Sequence, residues 1–343
     1  MTATVTDRTV PTLRRPHRGR RIAAALGGAV VVLFLVKLLL GSLTVTVPEL
    51  LAVLSGETVP GVSFIVMEDR LPTALVGALA GAALGLSGTI FQTLLRNPLA
   101  SPDIIGIGFG AATAAVTGML VLGLQGPWLS VAAFVGALAV ALVVYFLADS
   151  GQHTGGRLIL MGIGAGAMLH AVMNYLLTST DVRSAGDALH WLVGSLSNSN
   201  WERVGTLAAA LAVLAPLTAF AATRLKVLQL GDDAAAGLGV DVSRSRLTLV
   251  VLGVALTAAA TSVTGPIAFV AFLAGPLARL LTGGRTDFLC SALVGSALVL
   301  AADFAGSNLF GDTSLPVGVV TGALGAPFLL WLLVRSNQQG MGG

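Results

Sequence analysis

Residues 71–95 read LPTALVGALAGAALGLSGTIFQTLL, a run without a charged side chain, closed by Arg70 on one side and Arg96 on the other. A helix rising about 1.5 Å per residue over that length outreaches the ~30 Å hydrocarbon core of a bilayer, so the run reads as a membrane span. Gly77, Gly81 and Gly85 recur at every fourth position and share one face of it. That spacing lets helix backbones approach closely, and it predicts packing inside a compact bundle.

Working outward, similar apolar runs recur near residues 22–41, 104–124, 128–148, 157–177, 204–222, 246–264, 267–282, 287–305 and 316–334. Across all 343 residues 55% are hydrophobic and 10% charged, where a soluble domain carries roughly 25% charged residues. This composition excludes a soluble enzyme, a disulfide-stapled secreted domain and a disordered chain. Cys290 is the single cysteine, so no intrachain disulfide is possible. The expected fold is an all-α polytopic membrane protein of about ten transmembrane helices. It divides into a basic tail at 1–21, one transmembrane domain at 22–335 and a short tail at 336–343.

Orientation follows the cations in the loops. Arg8, Arg14, Arg15, Arg18, Arg20 and Arg21 precede the first span, which places the N-terminus in the cytoplasm. Alternating from there puts Arg96, Arg157, Arg224, Lys226, Arg244, Arg246, Arg279, Arg285 and Arg335 on the same side, leaving only Arg70, Arg183 and Arg203 outside and Lys37 within the first span. Both termini are therefore expected inside. A secretory signal is the competing reading of the N-terminus, but the run from Ile22 to Leu40 is too long for an h-region and no small-residue cleavage site follows it.

Several motifs have the right letters in the wrong context. Gly162, Gly164 and Ala167 fit a dinucleotide-binding pattern, yet they lie inside an apolar span with no preceding strand. The phosphate-cradling G-x-x-x-x-G-K-[ST] loop is absent, because neither Lys37 nor Lys226 follows a glycine, so any ATP would be hydrolysed by another chain. Gly85-Leu86-Ser87-Gly88 with His170 and Asn174 has the residue types of an intramembrane serine protease, but not their order, and the only histidine beyond His170 is His190, in an outer loop. His17, His153, His170 and His190 are too dispersed for a metal site. Asp303 is the one acid clearly within a span, and both it and Lys37 lie near span ends, where they can snorkel. This scarcity counts against an ion-coupled secondary transporter.

The longest cytoplasmic connection, 223–245, contains Leu230-Gly231-Asp232-Asp233-Ala234-Ala235-Ala236-Gly237-Leu238-Gly239-Val240. Two acids, an alanine run and then glycines predict a short helix whose N-terminus the acids complement and whose end turns tightly at Gly237 and Gly239. Such a knob could dock a soluble partner.

With these residues set out, the chain resembles the FecCD-type permeases, the membrane subunits of type II ABC importers for iron chelates and vitamin B12. The resemblance rests on Arg70-Leu71-Pro72, Gly81 to Gly88, Gln92 and Asn97-Pro98-Leu99-Ala100-Ser101-Pro102-Asp103, then Gly106 and Gly110-Ala111. It continues through Trp191, Gly194-Ser195-Leu196, Trp201, Ala236 to Val240, Gly265-Pro266-Ile267-Ala268-Phe269-Val270, Pro276, Arg279, Ala302-Asp303, Leu315-Pro316-Val317-Gly318 and Gly325-Ala326-Pro327-Phe328.

The resemblance implies a BtuC-like permease fold without catalytic residues, working in the cytoplasmic membrane. Its partners would be two ABC ATPase subunits that bind ATP and magnesium, a second permease subunit and an extracytoplasmic substrate-binding protein, with membrane lipid around it and no nucleic acid. It implies that Asp232, Asp233, Ala236, Gly237, Leu238, Gly239 and Val240, in coupling helices at about 230–241, dock the ATPase. Asn97 and Leu99 would form the cytoplasmic gate, Arg70 would dock the binding protein, and Gly162, Gly166, Met168, His170 and Met173 would line the pathway. Where the family often has two further outer arginines this chain has Thr73 and about Ser307, and a usual histidine of the eighth span is Leu277. The missing arginines favour a heterodimer whose other permease supplies them. The uncharged pathway candidates suit a bulky chelate, with a ferric siderophore ahead of vitamin B12 or haem.

Overall fold

The computed structural model describes residues 17–102, 106–148, 154–311 and 313–340. Most of the basic tail, Asp103, His153 and the last three residues therefore lie outside the described residues. Among those described, the chain is helical with no strand. Its principal helices are α1 (His17–Leu39), α4 (Leu71–Leu94), α5 (Ile107–Leu120), α6 (Gly126–Ala148), α7 (Thr154–Ser179), α9 (Trp201–Leu228), α11 (Val242–Thr264), α12 (Val270–Leu281), α13 (Phe288–Asn308) and α14 (Val317–Gly340). They coincide with the ten expected runs. Seven segments are long and apolar enough to cross a membrane, while Ile107–Leu120, Val270–Leu281 and Val317–Leu332 are shorter apolar helices.

Four shorter elements join them: α2 (Val47–Leu54), α3 (Val62–Phe64), α8 (Val182–Leu192) and α10 (Asp232–Gly237). α2 opens on a capping box, in which Thr46 N–H donates to the Glu49 carboxylate at 2.8 Å and Glu49 N–H donates to Thr46 Oγ1 at 3.5 Å. α3 runs through a π-helical turn, Ile65–Arg70, straight into α4. α8 occupies the connection read from sequence as an outer loop, and Asp181 caps it by accepting the Ser184 N–H at 3.2 Å.

α4 sits at the centre, and its glycine face explains why. A Cβ at Gly81 would lie 2.3 Å from Gly295 O, and one at Gly85 would lie 2.3 Å from Ser291 O, so α13 packs against α4 backbone to backbone. On another side Gly88 meets the carbonyl of Ala271 on α12. Ser87 donates to Gly253 O on α11 at 2.6 Å and accepts from Thr257 Oγ1 at 2.7 Å. Ser87 is thus fully enclosed in a packing bridge and faces no histidine, which disposes of the protease geometry.

α12 is short because its N-terminal half-span is extended chain. Non-helical backbone at membrane depth requires partners from the protein itself. Three glycine-bearing segments supply the fit here: Gly194, with φ 72°, faces Pro266 O, Gly265 faces Trp191 O, and Gly318 faces Val193 O, each at less than 2.5 Å from a hypothetical Cβ. Ser195 N–H donates to Thr264 O at 2.9 Å and Gly318 N–H to Gly194 O at 3.1 Å, closing the knot.

Lys37 and Asp303 correct the sequence reading. They do not snorkel separately, because the Lys37 ammonium donates directly to the Asp303 carboxylate and both side chains are buried between α1 and α13. The pairing removes two isolated charges from the bilayer at once.

Candidate functional site

At one end of the bundle, α10 projects between α9 and α11. Its Ala235 is fully buried with Leu225, Leu228 and Leu249, which anchors the helix, while Asp233, Ala236, Gly237 and Leu238 are exposed. The end of the helix is a Schellman turn: Val240 N–H donates to Ala235 O at 3.0 Å, Gly239 N–H donates to Ala236 O at 2.9 Å, and Gly239 takes φ 79°. This is the tight turn expected of its glycines. Both acids stand in the first turn, as expected, but neither caps it. Gly231 is the N-cap and no side chain caps it; Asp232 instead holds Arg246 of α11, one guanidinium nitrogen lying 2.8 Å from each carboxylate oxygen. The result is a rigid protrusion tipped by Leu238, 65% exposed, with only small side chains around it.

Beside the protrusion, α4 ends in a turn containing both gate candidates. Arg96 adopts φ 50°, and its guanidinium donates to Leu228 O, the last residue of α9, at 2.8 Å. Asn97 Oδ1 accepts the Leu99 N–H at 2.9 Å, and Asn97 N–H donates to Gln92 O at 3.1 Å. Asn97 and Leu99 are half-buried. Sequence reasoning counted Arg96 only as an inside cation; in the fold it ties the turn to the root of α10. Behind it, buried Gln92 donates to Phe272 O at 3.0 Å and accepts from Arg279 at 3.0 Å, so two residues that carried the resemblance meet across α4 and α12.

A cavity of about 490 Å³ opens among α5, α7, α12 and α14. Phe109, His170, Met173, Phe269, Phe272 and Leu329 are among its walls, and among the described residues no Asp, Glu, Lys or Arg lines it. His170 stands edge-on to Phe109 with ring centroids 5.5 Å apart and lies 3.4 Å from Asn174 Nδ2. The five pathway candidates of α7 separate here. His170 and Met173 reach the cavity, whereas Gly162 and Gly166 are buried packing positions beside Gly106 and Phe109 of α5. Met168 is 73% exposed on the opposite face of the helix.

Arg70 is turned inward. Expected on a docking face, it is only 6% exposed. Its guanidinium donates to Leu38 O at 2.8 Å and also to Leu43 O, the two ends of the bend after α1. The π-helical turn accounts for this, since it presents Glu68 and Asp69 to the surface while turning Arg70 inward. Thr73, where a second arginine was expected, is buried too and donates to Asp69 O at 2.6 Å. Leu277, in place of a histidine, packs on the cluster of Ala274, Ala278, Cys290 and Val294, which also receives Ile22 and Leu26 of α1. Trp201 Nε1 donates to Met67 O at 2.9 Å, tying α9 to the same corner.

Comparison with known proteins bears on these features together. The sequence pattern of the FecCD transport family matches residues 29–335. The ferric enterobactin transport system permease protein FepG of Escherichia coli (strain K12) is 39% identical over 300 residues, 87% of this chain and 91% of that one. The achromobactin transport system permease protein CbrC of Dickeya dadantii (strain 3937) is 38% identical over 301 residues, 87% of this chain and 86% of the other. The hemin transport system permease protein HmuU of Yersinia pestis is 36% identical over 284 residues, 80% of this chain and 84% of the other. Among solved structures, an inward-facing conformation of a proposed metal-chelate type ABC transporter superposes with TM-score 0.83 at 25% identity, covering 92% of this chain and 99% of that one.

Proposed function

The chain belongs to the FecCD transport family and is a multi-pass permease subunit of an ABC importer; on that premise we propose that its cargo is a ferric siderophore and that α10 receives the stroke of a partner ATPase. The observation that carries the mechanical part is the α10 protrusion. A six-residue helix is too short to hold itself together in water. Here it is pinned by buried Ala235, by the Asp232–Arg246 pair and by the Gly239 turn, and it leaves Leu238 unpartnered. An apolar tip on a rigid stem suits a groove in a soluble subunit.

ATP binding and hydrolysis in that subunit shift the balance between inward- and outward-facing states, and the stem transmits the shift. Arg96 joins the stem to the turn holding Asn97 and Leu99, which supports reading that turn as the gate. The chain itself does no bond-making chemistry. Support for the cargo comes from relatives named for transport of ferric enterobactin, of achromobactin and of a siderophore, and from the cavity wall, which among the described residues is uncharged and suits a bulky chelate held weakly enough to be released. Vitamin B12 and haem remain the alternative cargoes, since the hemin permease is nearly as similar.

A second permease subunit, different from this one, and an extracytoplasmic binding protein complete the proposed assembly. With Arg70 turned inward, a binding protein would meet Glu68, Asp69 and exposed Arg183 on this subunit. The test is to purify the tagged chain with its partners and to follow uptake of iron-55 presented as ferric catecholate, ferric hydroxamate, citrate or haem. Leu238→Asp is expected to abolish uptake and loosen the ATPase while membrane insertion stays normal. Uptake at the parental rate by that variant would remove α10 from the mechanism, and uptake of haem alone would replace the cargo.

A further inference from the structure

We infer that a groove between α6, α9 and α11, away from the central cavity, is a binding site for one aminophospholipid of the surrounding membrane. The groove has a volume of about 310 Å³ and walls that include Pro127, Val131, Phe134, Ala210 and Val263. Its mouth carries two opposite charges, Glu202 and Arg203, side by side in the first turn of α9. Neither is consumed by the fold. One guanidinium nitrogen of Arg203 donates to Val263 O at 3.1 Å, leaving its other donors for the groove. Among the described residues the Glu202 carboxylate has no hydrogen bond or salt bridge.

Depth identifies the occupant. Trp128 and Trp201, both exposed, stand in the first turns of α6 and α9, the same turns that supply Pro127, Glu202 and Arg203 to the groove. Tryptophans at helix ends mark the headgroup level of a bilayer, so Glu202 and Arg203 lie where headgroups lie and the apolar wall continues toward the acyl chains. Val131, Val135, Val213 and Leu217 are exposed along the same two helices, as lipid-facing residues are.

The charges then select the headgroup. A phosphodiester fits the forked donors of arginine, which bind phosphate oxygens in pairs. A primary ammonium two carbons beyond that phosphate can donate to the Glu202 carboxylate. Phosphatidylethanolamine carries both groups. Phosphatidylglycerol would set only the neutral hydroxyls of its terminal glycerol against Glu202, with no cation, and the quaternary ammonium of phosphatidylcholine has no N–H to donate.

The assembled importer, purified from its membrane in mild detergent, would be exchanged into equimolar phosphatidylethanolamine, phosphatidylglycerol and phosphatidylcholine and its retained lipid weighed by native mass spectrometry. Retention of one phosphatidylethanolamine, about tenfold over either competitor, is expected. Arg203→Gln should lose it. Glu202→Gln, which removes no hydrogen bond of the fold, should keep a phospholipid but abolish the preference for the amine. Equal retention of all three lipids by the parental protein would overturn the inference, as would full displacement of the bound lipid by soluble phosphoethanolamine, which would make this a headgroup site only. So would an empty groove in the assembled complex, the sign that a protein partner covers it. If Arg203→Gln does not fold, an unchanged preference in Glu202→Gln overturns the inference alone.

Discussion

In the α4 span nearly every glycine faces backbone: a Cβ on Gly81 would lie 2.3 Å from Gly295 O, and one on Gly295 would lie 2.1 Å from Gly81 O. In α7 a Cβ on Gly164 would have nothing within 4 Å. The apolar window of the first span is 72% buried and that of the second 17%. Both α4 and α7 are glycine-rich and of similar length, and glycine content alone does not tell them apart. Glycine spacing therefore reports that a helix face is low, and only the fold decides what comes to lie on it. α4 is a hub read from all sides, whereas α7 packs on α5 and α6 along Gly162, Gly166 and Met173 and leaves Leu160, Met168 and Tyr175 uncovered.

The sharpest way to break this contrast is Gly81→Val. The added atoms have only backbone to displace, and backbone cannot repack as a side chain does. No folded, monodisperse protein is expected on size exclusion in detergent. Recovery of parental amounts would mean that α4 and α13 do not meet at Gly81 and Gly295.

Next in size is Lys37→Met. It leaves Asp303 buried and unpaired beside α4's main partner, which costs about 3–5 kcal/mol. The double variant Lys37→Met with Asp303→Leu should regain most of that loss, because replacing both charges removes the desolvation penalty as well as the attraction. Thermal unfolding of the three proteins would show it. A double variant no better than the single one would deny the pair.

Arg70→Gln is expected to cost about 2–3 kcal/mol, through two lost charge-assisted bonds to the bend after α1. Binding-protein affinity measured on the surviving folded fraction should be unchanged, since the side chain does not reach the surface. A weakened affinity with unchanged stability would restore Arg70 to the docking face.

What could be read in advance divides along the same line. The ten helices were legible because hydropathy is a local property, and α10 because acids, alanines and Gly239 specify a short capped helix within eleven positions. Lys37 and Asp303 stand 266 positions apart, so nothing near either one announces the other. The burial of Arg70 was hidden for another reason, because its docking role rests on the family resemblance and not on its surroundings. A π-helical turn shifts the angular phase of the residues it contains, and no residue of Ile65–Arg70 announces that turn in the sequence. Family motifs marked Gly194, Gly265 and Gly318 as notable, yet only their meeting at the start of α12 and α14 explains why all three must lack a side chain.

The smallest effect belongs to Gly164→Ala. In water a glycine-to-alanine change within a helix gains up to about 1 kcal/mol, because the unfolded chain loses freedom. In a bilayer that gain should largely vanish, since an unassembled span is already helical to satisfy its own backbone groups. With no neighbour within 4 Å to clash, the change is expected to move the unfolding midpoint of the isolated subunit by the equivalent of no more than about 0.5 kcal/mol. The same change is informative in the assembled importer. If a second permease covers this face of α7, a methyl group at Gly164 enters that contact, and the complex should lose thermal stability while the lone subunit does not. A loss already present in the lone subunit would mean that α7 is packed on both faces, and the contrast with α4 would disappear.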